Sequence, residues 1–271
     1  MEKGSDVLRQ VIVIICTGIA IVGSFIGSGA AGGTPIKDAS GGALATDATL
    51  VAPGGAAFGI WTIIYVGLLG YSIWQSLSAQ QADPRQRVLG YPIAASLALN
   101  AAWIMSIQFD LLALSVPVII ALLAVLIWTF LLTLRSKPKD LIESVIVDGT
   151  MGIYLGWVAI ATAANITALL VSNGFDGFGL SADAWAIVVL ALAAVAGILI
   201  AVRSHGRIAP AVALTWGLAW VAAARLTGDL ASASTATAAI VAAVSVVGVT
   251  AAMRVRAGRR ARTDSAVPLH A

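Results

Sequence analysis

Three short constellations hold most of the side chains in this sequence that could recognise a ligand. In the stretch 55–79, Phe58, Trp61 and Tyr65 follow i, i+3, i+7 spacing, which puts them on one face of a helix. In 88–108, Ser96, Asn100 and Trp103 share a face in the same way. In 145–171, Tyr154, Trp157, Ala161 and Asn165 line a third. Aromatic walls carrying a few amide groups suit a flat, largely apolar ligand. A second reading has equal standing on spacing alone. Tryptophans also form the aromatic belt of a membrane interface, and asparagines also join helices within lipid.

Other chemistry has little to stand on. Cys16 is the only cysteine, which excludes a disulfide framework and a cysteine-ligated zinc or iron–sulfur site. His205 falls in a connecting segment and His270 in the C-terminal tail, so neither is placed to ligate haem or a metal within an apolar run. No Ser–His–Asp arrangement, phosphate-cradling glycine loop or HExxH motif is visible. No catalytic or metal-binding residue is assigned. Asp148 falls in the first turn of the fifth apolar run, where the helix dipole favours a carboxylate that reaches the interface. Its other reading is a proton relay, which would make the chain a proton-coupled secondary transporter of a small solute. Arg225 and Asp229, four residues apart, read first as a local ion pair.

The elements that position these residues follow from composition. The chain has 271 residues, 59% hydrophobic and 11% charged, with a mean hydropathy of +0.96. A soluble domain is about 45–50% apolar and about 25% charged, so a single water-soluble globule is excluded. Eight apolar runs, at 9–30, 55–79, 88–108, 112–134, 145–171, 183–202, 209–227 and 232–253, each approach the roughly 20 residues that cross a bilayer core. Their continuous apolar character argues against a β-barrel, whose strands are short and alternate. The expected fold is all-α, a polytopic integral membrane helical bundle.

The basic residues sort by side. Fourteen of the 16 Lys and Arg residues fall at the N-terminus, in the even-numbered connections and in the tail. Only Lys37 and Arg225 fall on the other side. Lys/Arg excess marks the cytoplasmic face, so both termini are expected there, in a plasma membrane of bacterial type. The net charge of +3, distributed this way, describes membrane topology and not a nucleic-acid groove. The first run is longer than the 7–15 residues of a signal-peptide core and reads as a retained anchor.

Residues 31–54, rich in Gly, Ala, Ser, Thr and Asp, read as a flexible external loop or lid. Trp61, Asn100, Trp103 and Asn165 then fall in the outer half of the membrane, beneath that loop. Asn100 and Asn165 are expected to face the bundle interior, because an unsatisfied amide in lipid is costly. Pro92 and Pro117 are placed within the first turns of their helices. Gly23 and Gly27, Gly55 and Gly59, and Gly152 and Gly156 give close helix approaches. Internal packing is the first reading of these pairs, and a homodimer the second.

The motifs resemble a known family. Ala52–Pro53–Gly54, Phe58–Gly59–Ile60–Trp61–Thr62 and Tyr65 look like the P-G, F-G, W-T and Y signature of the tryptophan-rich sensory proteins, also called the translocator protein or peripheral benzodiazepine receptor family. Leu99–Asn100–Ala101–Ala102–Trp103 resembles that family's L-N-x-x-W. Tyr154–Leu155–Gly156–Trp157–Val158, followed by Ala161 and Asn165, resembles its fifth-helix stretch. The likeness covers roughly residues 9–172.

It implies a five-helix translocator-like core over 1–172, with a ligand pocket near the top closed by the first loop. Residues 173–254 are then a three-helix transmembrane extension without a counterpart, and 255–271 a basic cytoplasmic tail that either meets anionic lipid headgroups or, with equal standing, is an unstructured solubilising end. The resemblance further implies a lipophilic ligand, with porphyrin or haem among the tetrapyrroles, and a role in binding, sensing or transport. Carried over, Trp61, Asn100, Trp103, Trp157 and Asn165 become pocket residues, with Ala161 as a small wall. The sequence departs from the family in three places. Residues 31–54 contain no aromatic, Ile153 stands where a proline is usual, and Ile160 and Ala163 stand where aromatics are usual. These changes imply a wider pocket or a different lid.

Overall fold

The computed structural model describes residues 2–265, with side chains over 4–260. Eight long helices follow in chain order: α1 (Glu2–Gly27), α2 (Gly55–Gln75), α3 (Pro84–Gln108), α4 (Leu112–Arg135), α5 (Leu141–Ser172), α6 (Ala182–Arg203), α7 (Ile208–Thr227) and α8 (Ala233–Ser265). Each is long and apolar enough to cross a membrane, and no strand occurs among the described residues. The protein is a polytopic helical membrane bundle.

Several helix starts differ from the apolar runs, because capping and not hydropathy sets them. The Asp83 carboxylate accepts the Arg85 and Gln86 amides at 2.8 and 3.0 Å, and Pro84 occupies the first turn. The third helix therefore starts at Pro84, and Pro92 lies two turns inside it, not in its first turn. Asp140 caps α5 in the same way through the Glu143 amide at 2.8 Å. The helix then widens into a π-turn over Ser144–Gly149, so Asp148 also lies beyond the first turn. α1 begins at Glu2 and ends at Gly27. α8 runs on to Ser265, making 255–265 of the basic tail helical, while 266–271, with His270, lie outside the described residues.

The helices pack in the spatial order α1, α3, α4, α5, α7, α8, α6, with α2 resting on α1 and α5. Glycines set the close approaches. A Cβ on Gly27 would lie 2.9 Å from Ile104 of α3, and one on Gly156 would lie 2.1 Å from the Pro210 carbonyl oxygen of α7. These two small-residue pairs serve internal packing, whereas a Cβ on Gly59 would meet nothing within 4 Å.

At the basic end, charged groups stitch the helices together. Arg85 pairs with Glu143 at 2.9 Å and with Asp148 at 2.5 Å, and Asp148 also meets Arg207 at 3.3 Å. Glu143 is fully buried and accepts in addition from Gln86 and the Lys139 amide, both at 2.8 Å. Asp148 is thus a largely enclosed, doubly paired carboxylate, turned toward Arg85 and Arg207 instead of toward water. Lys139 meets Asp83 at 2.6 Å. Partial burial pushes the Asp83 carboxyl up, but hydrogen bonds from Lys139 and from the Gln86 and Arg85 amides outweigh it and hold the group below its ordinary range. Arg9 is buried against Gly90 and donates to the Gln80 and Gln81 carbonyls, both at 3.1 Å.

Candidate functional site

At the opposite end of the bundle a narrow cavity of about 50 Å³ lies between α2, α3, α4, α5 and the α1–α2 loop. Seven of the nine sequence-predicted residues line it: Phe58, Trp61, Asn100, Trp103, Trp157, Ala161 and Asn165. The other two stand beside it. Tyr65 faces an adjoining groove, and Tyr154 is fully buried behind Trp61, its ring edge-on at 6.0 Å.

The aromatic rings hold one another. Trp61 stacks on Tyr65 at 5.6 Å, four residues on along α2, and meets Trp157 edge-on at 6.2 Å. Phe58 meets the same Trp157 at 5.8 Å. Such pairs add about 0.5–1.5 kcal/mol each beyond area burial, and here they join α2 to α5 around the cavity. Trp157 and Trp103 are buried, so neither belongs to an interfacial belt. Trp128 and Trp216 are instead exposed.

The amides face inward, as expected. Asn100 is fully buried and donates to the Tyr65 hydroxyl at 2.7 Å. Asn165 accepts from Trp103 Nε1 at 2.6 Å and donates to Ser115 Oγ at 2.9 Å, linking α3, α4 and α5. Two buried polar atoms on the cavity wall have no protein partner: the Asn100 Oδ1 acceptor and the Trp157 Nε1 donor. Leaving such an atom unpaired costs about 1–3 kcal/mol, and a ligand that pairs it recovers that cost.

The loop expected to be a flexible lid is tethered to the bundle at several points. Gln108 at the end of α3 clamps Thr34 through two hydrogen bonds, at 3.0 and 2.7 Å, and the Ser40 amide donates to Asp110 at 2.9 Å. Leu44, Thr49, Ala52 and Pro53 close the cavity from above. Small aliphatic side chains sit close to the aromatic floor, so the absence of lid aromatics leaves a tight cavity instead of a wide one.

The lid is also tied to α7. Arg225, 2% exposed, donates to the Thr46 and Thr49 carbonyls at 2.6 and 3.2 Å. Trp216 Nε1 donates to the Ala57 carbonyl at 2.9 Å, and the Gly54 amide to the Trp220 carbonyl at 3.1 Å. Arg225 forms no ion pair with Asp229 among the described residues, which corrects the expected local pair. The reason is geometric: two lid carbonyls sit where the guanidinium ends. Ile160, in place of an aromatic, packs where Gly217 of α7 leaves room. Sequence reasoning missed this latch and the α4 wall, Ile119 and Leu122. The one signal was Arg225 itself, one of only two cations, with Lys37, at the sparsely charged end.

The adjoining groove, about 690 Å³, opens between α1 and α2. It shares Ile36, Phe58, Trp61 and Trp103 with the cavity, and its outer edge carries the exposed apolar side chains Phe25, Val66 and Leu69. It joins the aromatic site to the lipid-facing surface.

No curated protein and no solved structure matches the chain. The family model described as TSPO-like protein matches residues 12–252, a span that takes in α6 and α7 and most of α8 along with the first five helices. The chain belongs to the TSPO-like protein family.

Proposed function

We propose that this membrane protein binds a flat lipophilic small molecule of tetrapyrrole type in the aromatic cavity, and that sensing or translocation of that molecule follows from lid movement. The observation that carries the reading is the pair of unpartnered polar atoms, Asn100 Oδ1 and Trp157 Nε1, on an otherwise aromatic and aliphatic wall. One accepts and one donates, which matches a ring system that has both N–H and carbonyl or carboxylate groups. Family membership supports binding of a small molecule within the membrane.

A cavity of about 50 Å³ does not admit a tetrapyrrole while the lid is seated. Entry requires the cavity to merge with the α1–α2 groove, and the shared residues Ile36, Phe58, Trp61 and Trp103 are the boundary that shifts. Among the described residues no His, Cys or Met lines either space, and of the usual haem ligands only Tyr65 lies on the groove wall, its hydroxyl already accepting from Asn100. The basic end, with both termini, is assigned to the cytoplasm by the positive-inside rule. The cavity then lies toward the outer face.

The test is quenching of intrinsic tryptophan fluorescence by protoporphyrin, titrated into the purified full chain in detergent. A linear lipid of similar apolarity serves as control. Saturable quenching by porphyrin alone is expected. Trp157→Phe, which keeps a ring but removes the N–H, is expected to weaken affinity about three- to tenfold, the worth of one hydrogen bond. Non-saturating quenching by both compounds, unchanged in Trp157→Phe and Asn100→Ala, would overturn the reading.

A further inference from the structure

At the basic end a second concavity, about 470 Å³, lies between the start of α3, the end of α4 and the 136–140 connection. Its lining holds four cations, Arg85, Arg135, Lys137 and Lys139, and two anions, Asp83 and Glu143. The anions are already engaged. Glu143 pairs with Arg85 at 2.9 Å and Asp83 with Lys139 at 2.6 Å. Arg85 is further neutralised by Asp148. Arg135 and Lys137 are exposed and have no hydrogen-bond or ion-pair partner among the described residues. The concavity therefore presents two uncompensated cations above a floor of satisfied ion pairs.

Its walls are apolar. Val88 of α3, 52% exposed, and Leu132 of α4 line it. Tyr91, three residues on from Val88, and Trp128, four before Leu132, continue the two faces into the bilayer and are exposed as well. A soluble anion has no use for such walls, whereas a lipid uses both halves of the site.

We propose that this concavity binds one anionic phospholipid. Its headgroup phosphate meets Arg135 and Lys137, and its acyl chains lie along the Val88–Tyr91 and Trp128–Leu132 faces. The Ser136 hydroxyl, which accepts from Arg85 Nε at 3.0 Å, keeps its own hydrogen free to donate to the headgroup. A bound lipid here bridges α3 and α4 at the end where Arg85 joins α3 to α5. The site is separate from the aromatic cavity and stands whether or not that cavity binds a tetrapyrrole.

The test is native mass spectrometry of the full chain after reconstitution in vesicles of equimolar phosphatidylglycerol and phosphatidylcholine and re-extraction in mild detergent. One phosphatidylglycerol retained in preference to phosphatidylcholine is expected. Arg135→Gln with Lys137→Gln is expected to lower that preference by about tenfold or more, since each basic residue near a surface attracts anionic lipid appreciably. Both residues are exposed, so the double variant keeps its fold, which its melting temperature checks. Arg254→Gln with Arg256→Gln in α8 is expected to retain the lipid. Equal retention of the two lipids by the unaltered chain would overturn the proposal. So would a preference lost in the α8 variant and kept in the double variant, which would place the lipid on the tail. Displacement by millimolar glycerol phosphate would also overturn it, because the site would then read a free phosphate and not a lipid.

Discussion

At the residue scale, Trp103 and Trp157 are both buried indoles on the cavity wall, yet they serve different ends. The Trp103 N–H is spent on Asn165, and that bond holds three helices together through Ser115. The Trp157 N–H is unpaired. Trp103→Phe is therefore expected to cost stability, about 0.6 kcal/mol and up to about 1.7, the range for hydrogen bonds between membrane helices. Trp157→Phe also loses buried ring volume but breaks no hydrogen bond and removes an unsatisfied donor, so it is expected to lower the melting temperature less than Trp103→Phe. Thermal melts of the two variants check the contrast. The contributing residues were legible in the sequence because aromatics and amides recur at helical spacing. Their pairing was not. Spacing fixes the face a side chain occupies, and says nothing of which neighbour reaches its N–H first.

At the element scale, the lid and α7 act together. Nothing in residues 31–54 announces order, since Gly, Ala, Ser and Thr are also the composition of a mobile loop. The lid's tethers come from partners distant in sequence: Gln108, Asp110, Trp220 and Arg225. A reading that works by local composition does not see such partners. Arg225→Met keeps the length of the side chain and removes its two lid hydrogen bonds. Faster amide hydrogen exchange over residues 44–57 is expected, with exchange in α3 unchanged. Equal exchange in both proteins would show that α7 does not restrain the lid. The helix contacts carry a second expectation. Gly156→Ala places a Cβ 2.1 Å from a backbone oxygen of α7, so α5 and α7 must part, and a loss of about 1–3 kcal/mol is expected. Gly70→Ala meets nothing within 4 Å and gains helix propensity, so its melting temperature is expected to hold or rise.

At the scale of the whole molecule, the eight spans were legible because a bilayer imposes length and hydropathy on every crossing segment. Helix ends were legible only to within a turn or two, since Asp83 and Asp140 extend α3 and α5 into charged sequence. The relation of the last three helices to the first five was hidden. On sequence grounds α6, α7 and α8 were an appendage. In the structure α7 packs on α5 through Gly152, Gly156 and Gly217 and latches the lid over the cavity, and the family match runs through all three. The resulting account makes one bundle with an aromatic cavity at one end, an ion-paired floor at the other, and a groove from cavity to lipid.

The most direct measurement is photo-crosslinking with a diazirine-bearing porphyrin, added to the full chain in vesicles and mapped by mass spectrometry of the labelled peptides. Labels are expected on α2, α3 and α5, at the peptides that carry Trp61, Asn100 and Trp157, and are expected to be displaced by excess unlabelled protoporphyrin. Labels spread over the exposed faces of α6 and α8, undiminished by competitor, would contradict a ligand site in the aromatic cavity.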